Sequence, residues 1–318
     1  MHGASAAARH IATFGWWVLG VFCVAAVIVL LVLLYLGLRD RTGSFQRHID
    51  ASTDEGKGWI AIAGLVIPGV VFIAFFFLMF APMDAMPMHE HAAEPDIRVT
   101  GQQWWFEAEY LGKTPDQNVR VPTELHVPVG RPVDIELVSR DVMHSFWVPK
   151  LQGKVDLVPG QPNHVRIQAD APGVYEGECA EFCGAQHAHM RIEIVAQPPA
   201  YYDAWLQAQR GPAAEPAADA ADARTAEVAH GRDVFLSAAC ALCHTVRGTG
   251  ANGKVGPDLT HVGSRRRIAG GSLPNNTATL TAWVVDAQAL KPEAQMPTMR
   301  SLPGPELRAL VAYLQSLE

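Results

Sequence analysis

The sequence predicts a multidomain chain: a two-helix transmembrane hairpin, then a β-sandwich or barrel, then a small all-α domain. Three observations predict it. Phe14 to Leu38 and Trp59 to Met83 are apolar runs without a single charge. Residues 95–197 alternate apolar and polar side chains between turn signals. Residues 227–318 read as helical and end on apolar residues at helical spacing.

The hairpin is assigned to residues 1–84, with spans at about 14–38 and 59–83. Each run reaches the roughly 20 residues that cross a bilayer core. A cleaved signal peptide is the rival for the first run, but the run is too long for that and no small-residue cleavage site follows it. Two such runs also argue against a buried hairpin in a soluble core. Between them stand Arg39, Arg41, Arg47 and Lys57, against Arg9 alone on the N-terminal flank. The positive-inside rule then places the loop in the cytoplasm and everything after residue 84 on the periplasmic face. The expected location is a bacterial inner membrane, crossed twice and in contact with lipid.

The β domain is read from Val133, Ile135 and Leu137, from Val165 and Ile167, and from Ile192 and Ile194. Turn signals at Pro128–Gly130, Pro159–Gly160 and Pro172–Gly173 separate them. Residues 198–226 are expected to hold a short helix at 200–209 and then a flexible linker. Gly211 to Ala226 is rich in Ala, Pro, Asp and Glu. It is expected to tether the last domain loosely, without a permanent interface. In 227–318 the final helix is Pro305 to Leu317, marked by Leu307, Leu310, Val311 and Leu314. The net charge of −7 argues against a nucleic-acid binder and suits a basic protein partner.

Residues 179–190 read CAEFCGAQHAHM. Two thiols, an imidazole and a thioether in so short a stretch form a soft ligand set, suited to copper or iron–sulfur chemistry. Residues 240–244 read CALCH, the attachment motif of c-type haem. Four of the five cysteines fall in these two pairs, and Cys23 sits inside the first span. Two disulfides are the competing reading in an oxidising compartment. Ligand neighbours at both pairs favour cofactors instead.

The hairpin, the β domain and this motif resemble subunit II of haem–copper cytochrome c oxidases, whose copper domain is cupredoxin-like and holds a binuclear centre, CuA. By that resemblance Cys179 and Cys183 bridge the coppers. His187 and Met190 are terminal ligands, and the Glu181 carbonyl is a weak one. The second histidine is His144, in DVMHSFWVP at 141–149. The Glu181 side chain is expected to reach a magnesium ion shared with subunit I. The stretch GQQWWF at 101–106 resembles an aromatic strand of the family, which makes Trp104 the electron-entry residue. Trp105 and Phe106 are read as core. His189, His126 and His164 are left outside the ligand set. One departure concerns the second span, where many members carry a glutamate. Ile60 to Gly64 contains no acid, and Asp54 and Glu55 stand before it.

The C-terminal region resembles a class I cytochrome c. The resemblance implies thioethers to haem from Cys240 and Cys243, His244 as proximal ligand, and Met296, followed by Pro297, as distal ligand, with Met299 second in line. Gly256 to Leu259 resembles the loop beside the proximal histidine. Gly231, Phe235 and Tyr313 resemble the crossed helix pair. Together the parts resemble the fused subunit II of caa-type oxidases, an enzyme subunit that delivers electrons while oxygen chemistry stays in subunit I. Implied partners are subunits I and III, and cytochrome c or a quinol–cytochrome c reductase as donor. The alternatives are a CuA subunit of a nitric oxide reductase and a membrane-anchored copper-delivery protein. The latter kind lacks the Glu, His and Met at these spacings and the appended haem.

Overall fold

The computed structural model describes residues 3–38, 58, 61–84, 94–213 and 222–318. The loop cations Arg39, Arg41, Arg47 and Lys57, the acids Asp54 and Glu55, and Trp59 lie outside these residues. The chain divides into two compact units. The first holds helix α1 (Ala6–Leu38) and helix α2 (Ile67–Asp84), the latter preceded by a π-helical turn at Ile62–Val66. Their apolar side chains are exposed along almost the whole length. A helix that is apolar all round and unburied by protein suits a lipid solvent, so the pair anchors the chain to a membrane.

The second unit begins with a sandwich of two five-stranded sheets. Its strands are β1 (Ile97–Gln102), β2 (Trp105–Tyr110), β3 (Val119–Pro122), β4 (Glu124–Pro128) and β5 (Val133–Ser139). They continue with β6 (His144–Trp147), β7 (Val155–Leu157), β8 (Asn163–Ile167), β9 (Gly173–Cys179) and β10 (Arg191–Gln197). One sheet runs β3-β2-β1-β5-β8 and the other β4-β10-β9-β6-β7. The β1–β5 and β4–β10 pairs are parallel and the rest are antiparallel. Alternation puts Val133, Ile135 and Leu137 inside, together with Phe106 and Phe146, whose rings meet edge to face at 6.3 Å. Each such side chain contributes about 1.5–3 kcal/mol by leaving water.

One expectation is corrected here. Gly101 to Phe106 is not a single strand. The chain reverses at Gln103–Trp104, joined by a cis peptide, and Gln102 pairs with Trp105 across the hairpin. Aromatic propensity marked a strand, but only flanking residues enter the ladder.

Helix α3 (Pro199–Arg210) closes the sandwich, where Trp205 stacks on His126 at 3.8 Å. The C-terminal domain comprises α4 (Ala223–Ser237), α5 (Cys240–Cys243), the short ribbon β11 (Arg267–Ile268) and β12 (Leu273–Pro274), α6 (Thr277–Val285), α7 (Ala287–Leu290) and α8 (Gly304–Ser316). Asp222 and Asn276 cap α4 and α6 through side-chain oxygens. Helices α4 and α8 cross at Gly231, where a Cβ would collide with the Ala309 carbonyl. Phe235 and Tyr313 then meet at 5.7 Å.

This crossing yields a prediction. Gly231→Val should destabilise the C-terminal domain by about 1–3 kcal/mol or more, because backbone rather than a flexible side chain must yield. Thermal unfolding followed by aromatic circular dichroism measures it. A melting curve equal to wild type would show that the helices can part without cost.

Candidate metal centre and haem crevice

The loop from Ala180 to Met190 joins β9 to β10 at one end of the sandwich. Its two thiols face each other, with Cys179 Sγ 3.8 Å from Cys183 Sγ. Around them stand His144 Nδ1, 3.9 Å from Cys179 Sγ, and His187 Nδ1, 3.6 Å from Cys183 Sγ. Met190 Sδ lies 3.9 Å from Cys183 Sγ, and the Glu181 carbonyl lies 3.2 Å from Cys179 Sγ. All six expected residues therefore converge. His144, Cys179, Cys183 and Met190 are buried. The pairing Phe146↔Cys179 fixes how β6 presents His144 to β9.

Protonation follows from the partners. Asp141 Oδ1 lies 2.8 Å from His144 Nε2. A carboxylate only accepts, so Nε2 carries the proton and Nδ1 keeps its lone pair toward the sulfurs. Burial opposes a charged His144, but the hydrogen bonds to Cys179 and Asp141 outweigh it and hold the imidazole above its ordinary value. The hydrogen bond between the thiols pulls Cys179 down and pushes Cys183 up, so one proton leaves easily and the other is held. Such a site fits a soft metal that displaces the remaining protons. The Glu181 carboxylate points elsewhere, to Lys154 Nζ at 3.2 Å. His189 is exposed and bonds Gln186, outside the cluster.

The Gln103–Trp104 turn sits directly on this loop. Trp104 Nε1 and Gln103 Nε2 both donate to the Cys183 carbonyl, at 2.9 and 2.8 Å. Gly184, at φ 115°, makes room, since a Cβ there would stand 3.0 Å from Gln103 Nε2 and 3.1 Å from Trp104 Cζ2.

On the far side of Trp104 opens a cleft lined by Trp104 and by Cys243, His244, Gly256 and Met296 of the C-terminal domain. His244 Nδ1 donates to the Pro257 carbonyl at 2.8 Å, which leaves Nε2 as the nitrogen free to bind. Burial holds this imidazole below its ordinary value, in the neutral form that binds metal. Gly256 lies flat against its ring, where a Cβ would come within 2.6 Å. The largely apolar cleft and its donors fit a haem. Met296 lines it, whereas Met299 packs into the domain core. Cys240 packs on the same core, one helical turn from Cys243.

The linker expectation needs correction. Residues 214–221 lie outside the described residues, but Ala213 is buried and its amide bonds the Arg247 carbonyl at 2.9 Å. Helix α4 already begins at Ala223. The domain it carries is docked. Glu193, side by side with Glu124 on paired strands, receives Arg266 Nε at 3.0 Å and Arg267 Nε at 2.8 Å. Glu124 Oε1 accepts from the Arg266 amide at 2.5 Å. Adjacent buried carboxylates repel each other, and the two arginines offset that repulsion at Glu193. Lys291 also crosses the interface, and burial draws its ammonium down to about 7. Sequence patterns missed Glu124, Glu193, Arg266, Arg267 and Lys291; the unbroken run Arg265-Arg266-Arg267 was the one available signal.

Comparisons with known proteins agree with this geometry. Residues 96–197 match the family described as cytochrome c oxidase subunit II, periplasmic domain, and residues 228–318 match cytochrome c. Cytochrome c oxidase subunit 2 of Alkalihalophilus pseudofirmus is 40% identical over 70% of this chain and 61% of its own length. The protein of the same name from Bacillus sp. (strain PS3) is 30% identical over 83% of this chain and 76% of its own length. That of Bacillus subtilis is 26% identical, over 90% and 82%.

A double variant tests the docked arrangement. Arg266→Ala with Arg267→Ala should cost about 2–4 kcal/mol, because Glu193 is left buried and unpaired while both arginines had kept some water. Glu193→Gln should cost less. Thermal unfolding of the three proteins decides, and equal stabilities would mean that the ion pairs carry no docking energy.

Proposed function

The chain belongs to the cytochrome c oxidase subunit 2 family, and on that premise we propose that it is the electron-entry subunit of a terminal oxidase. It passes electrons from an external donor through covalent haem c and binuclear CuA to subunit I, where oxygen is reduced. The observation that carries this reading is Trp104, whose indole bonds the copper-ligand loop while its flank lines the haem crevice.

In this reading Cys179, Cys183, His144, His187, Met190 and the Glu181 carbonyl hold the copper. Cys240 and Cys243 would attach the haem, and His244 and Met296 would hold its iron. Bound there, shared-thiolate copper supplies one-electron chemistry and His–Met haem a donor of raised potential. The chain's own work is to hold the donors still and keep water out. Strand β6 and the β9–β10 loop fix the soft ligands, and Asp141 fixes the tautomer of His144. Trp104 is only 6% exposed beneath the haem domain. A soluble cytochrome therefore reduces the fused haem rather than docking at Trp104.

The partners extend the proposal. Phe182, 76% exposed between the two cysteines, and exposed Val142 and Met143 beside His144 support contact with subunit I. The divergence of the Glu181 carbonyl and carboxylate supports a magnesium ion shared with that subunit. Subunit III and a cytochrome c or quinol–cytochrome c reductase donor complete the assembly. The two apolar helices support a location in a bacterial inner membrane, crossed twice, with the metal domains on the periplasmic face.

Two measurements test the assignments. Cys179→Ser or Cys183→Ser should abolish the mixed-valence electron paramagnetic resonance signal and leave mononuclear copper or none; a persisting mixed-valence spectrum in either variant contradicts bridging. Met296→Ala should remove the thioether-to-iron absorption band and lower the haem potential, whereas Met299→Ala should retain both. Loss of the band in the Met299 variant would move the distal ligand there.

A further inference from the structure

One residue seats the two redox domains on each other and belongs to neither ligand set. Lys291 follows α7 and is 4% exposed. Its Nζ donates to the carbonyls of Trp104 at 2.7 Å, His189 at 2.8 Å and Ala269 at 3.1 Å. An ammonium has three protons to donate, and three carbonyls receive them. Among the described residues it has no carboxylate partner. Burying a cation is costly, so the site persists only where the carbonyls converge well.

The carbonyls are placed at meaningful points. Trp104 is the residue whose indole bonds Cys183, and His189 immediately precedes Met190. Lys291 therefore grips both backbone segments that support the copper-ligand loop. The haem domain is shaped to let it do so. Gly270, at φ 69°, has no side chain because a Cβ would strike both the Trp104 carbonyl and Lys291 Nζ. The Arg191 amide, at the start of β10, donates to the Gly270 carbonyl at 2.9 Å and closes the same contact.

We propose that Lys291 is a positioning residue for electron transfer, locking the haem crevice onto the Gln103–Trp104 turn and the His187–Met190 segment throughout turnover. A compact ammonium suits three carbonyls converging on one point, whereas the planar fork of arginine does not. This role rests on the electron-entry reading above, and its test separates the two.

The test uses the full-length chain in its assembled oxidase. Lys291→Met keeps the length and removes the donor; Lys291→Gln returns part of the donor capacity. Hydrogen exchange of the Arg191 amide reports docking. Photoreduction of the covalent haem, followed by the appearance of reduced copper, reports transfer of one electron between the domains. In Lys291→Met both should change by about tenfold or more, exchange faster and transfer slower. The Gln variant should fall between. Copper and haem spectra, and turnover with small mediators that reduce copper directly, should stay as in wild type. Wild-type exchange and transfer in Lys291→Met would overturn the proposal. Loss of either spectrum in both variants would also overturn it, making Lys291 a general folding element. If wild type itself lacks the mixed-valence signal, the electron-entry reading fails, and the Arg191 exchange still decides whether Lys291 docks the domain.

Discussion

The hydrogen bond from the Trp104 indole to the Cys183 carbonyl, at 2.9 Å, is the interaction on which the arrangement depends. It ties a turn of one sheet to the ligand loop of the other. The same residue's own carbonyl is taken by Lys291 from the C-terminal domain. A single side chain thus has the copper loop on one side and the haem crevice on the other.

That arrangement requires the ligands to be rigid before metal arrives. The sandwich provides this through the Phe146↔Cys179 register, the Asp141 bond to His144 and the pair of donors on the Cys183 carbonyl. The docking face depends on charge. Glu124 and Glu193 lie side by side on parallel strands, both nearly buried, a placement that repels unless cations cover it. Arg266 and Arg267 cover it, and Glu193 binds both. The acidic pair therefore shapes the sandwich to receive this particular domain.

Much of the site was legible because its information is local. CAEFCGAQHAHM places two thiols, an imidazole and a thioether on one loop, and CALCH announces haem attachment by itself. His144 needed the family resemblance, since no spacing links it to the loop. The sheets followed from alternation at Val133, Ile135 and Leu137. The hairpin turn at Gln103–Trp104 was hidden by aromatic residues that read as strand. The docked interface was hidden for a different reason. Glu193 meets Arg267, and Trp104 meets Lys291, across long stretches of sequence. Single charged residues carry no pattern that distinguishes a buried partner from a solvated surface. The composition of 211–226 spoke for a loose tether, while the contacts that decide the matter lie elsewhere in the chain.

The central claim is that the haem domain stays docked on Trp104 and the copper loop during electron transfer. The most direct measurement is the rate of copper reduction after photoreduction of the covalent haem, followed as ionic strength is raised. The buried Lys291 ammonium and the buried Glu193 carboxylate are screened less than exposed charges, even though Arg266 and Arg267 keep some water. The docked arrangement predicts a rate that hardly changes with salt or with protein concentration. A rate that falls steeply with salt would contradict it and point to a tethered domain that must find its site at each turnover.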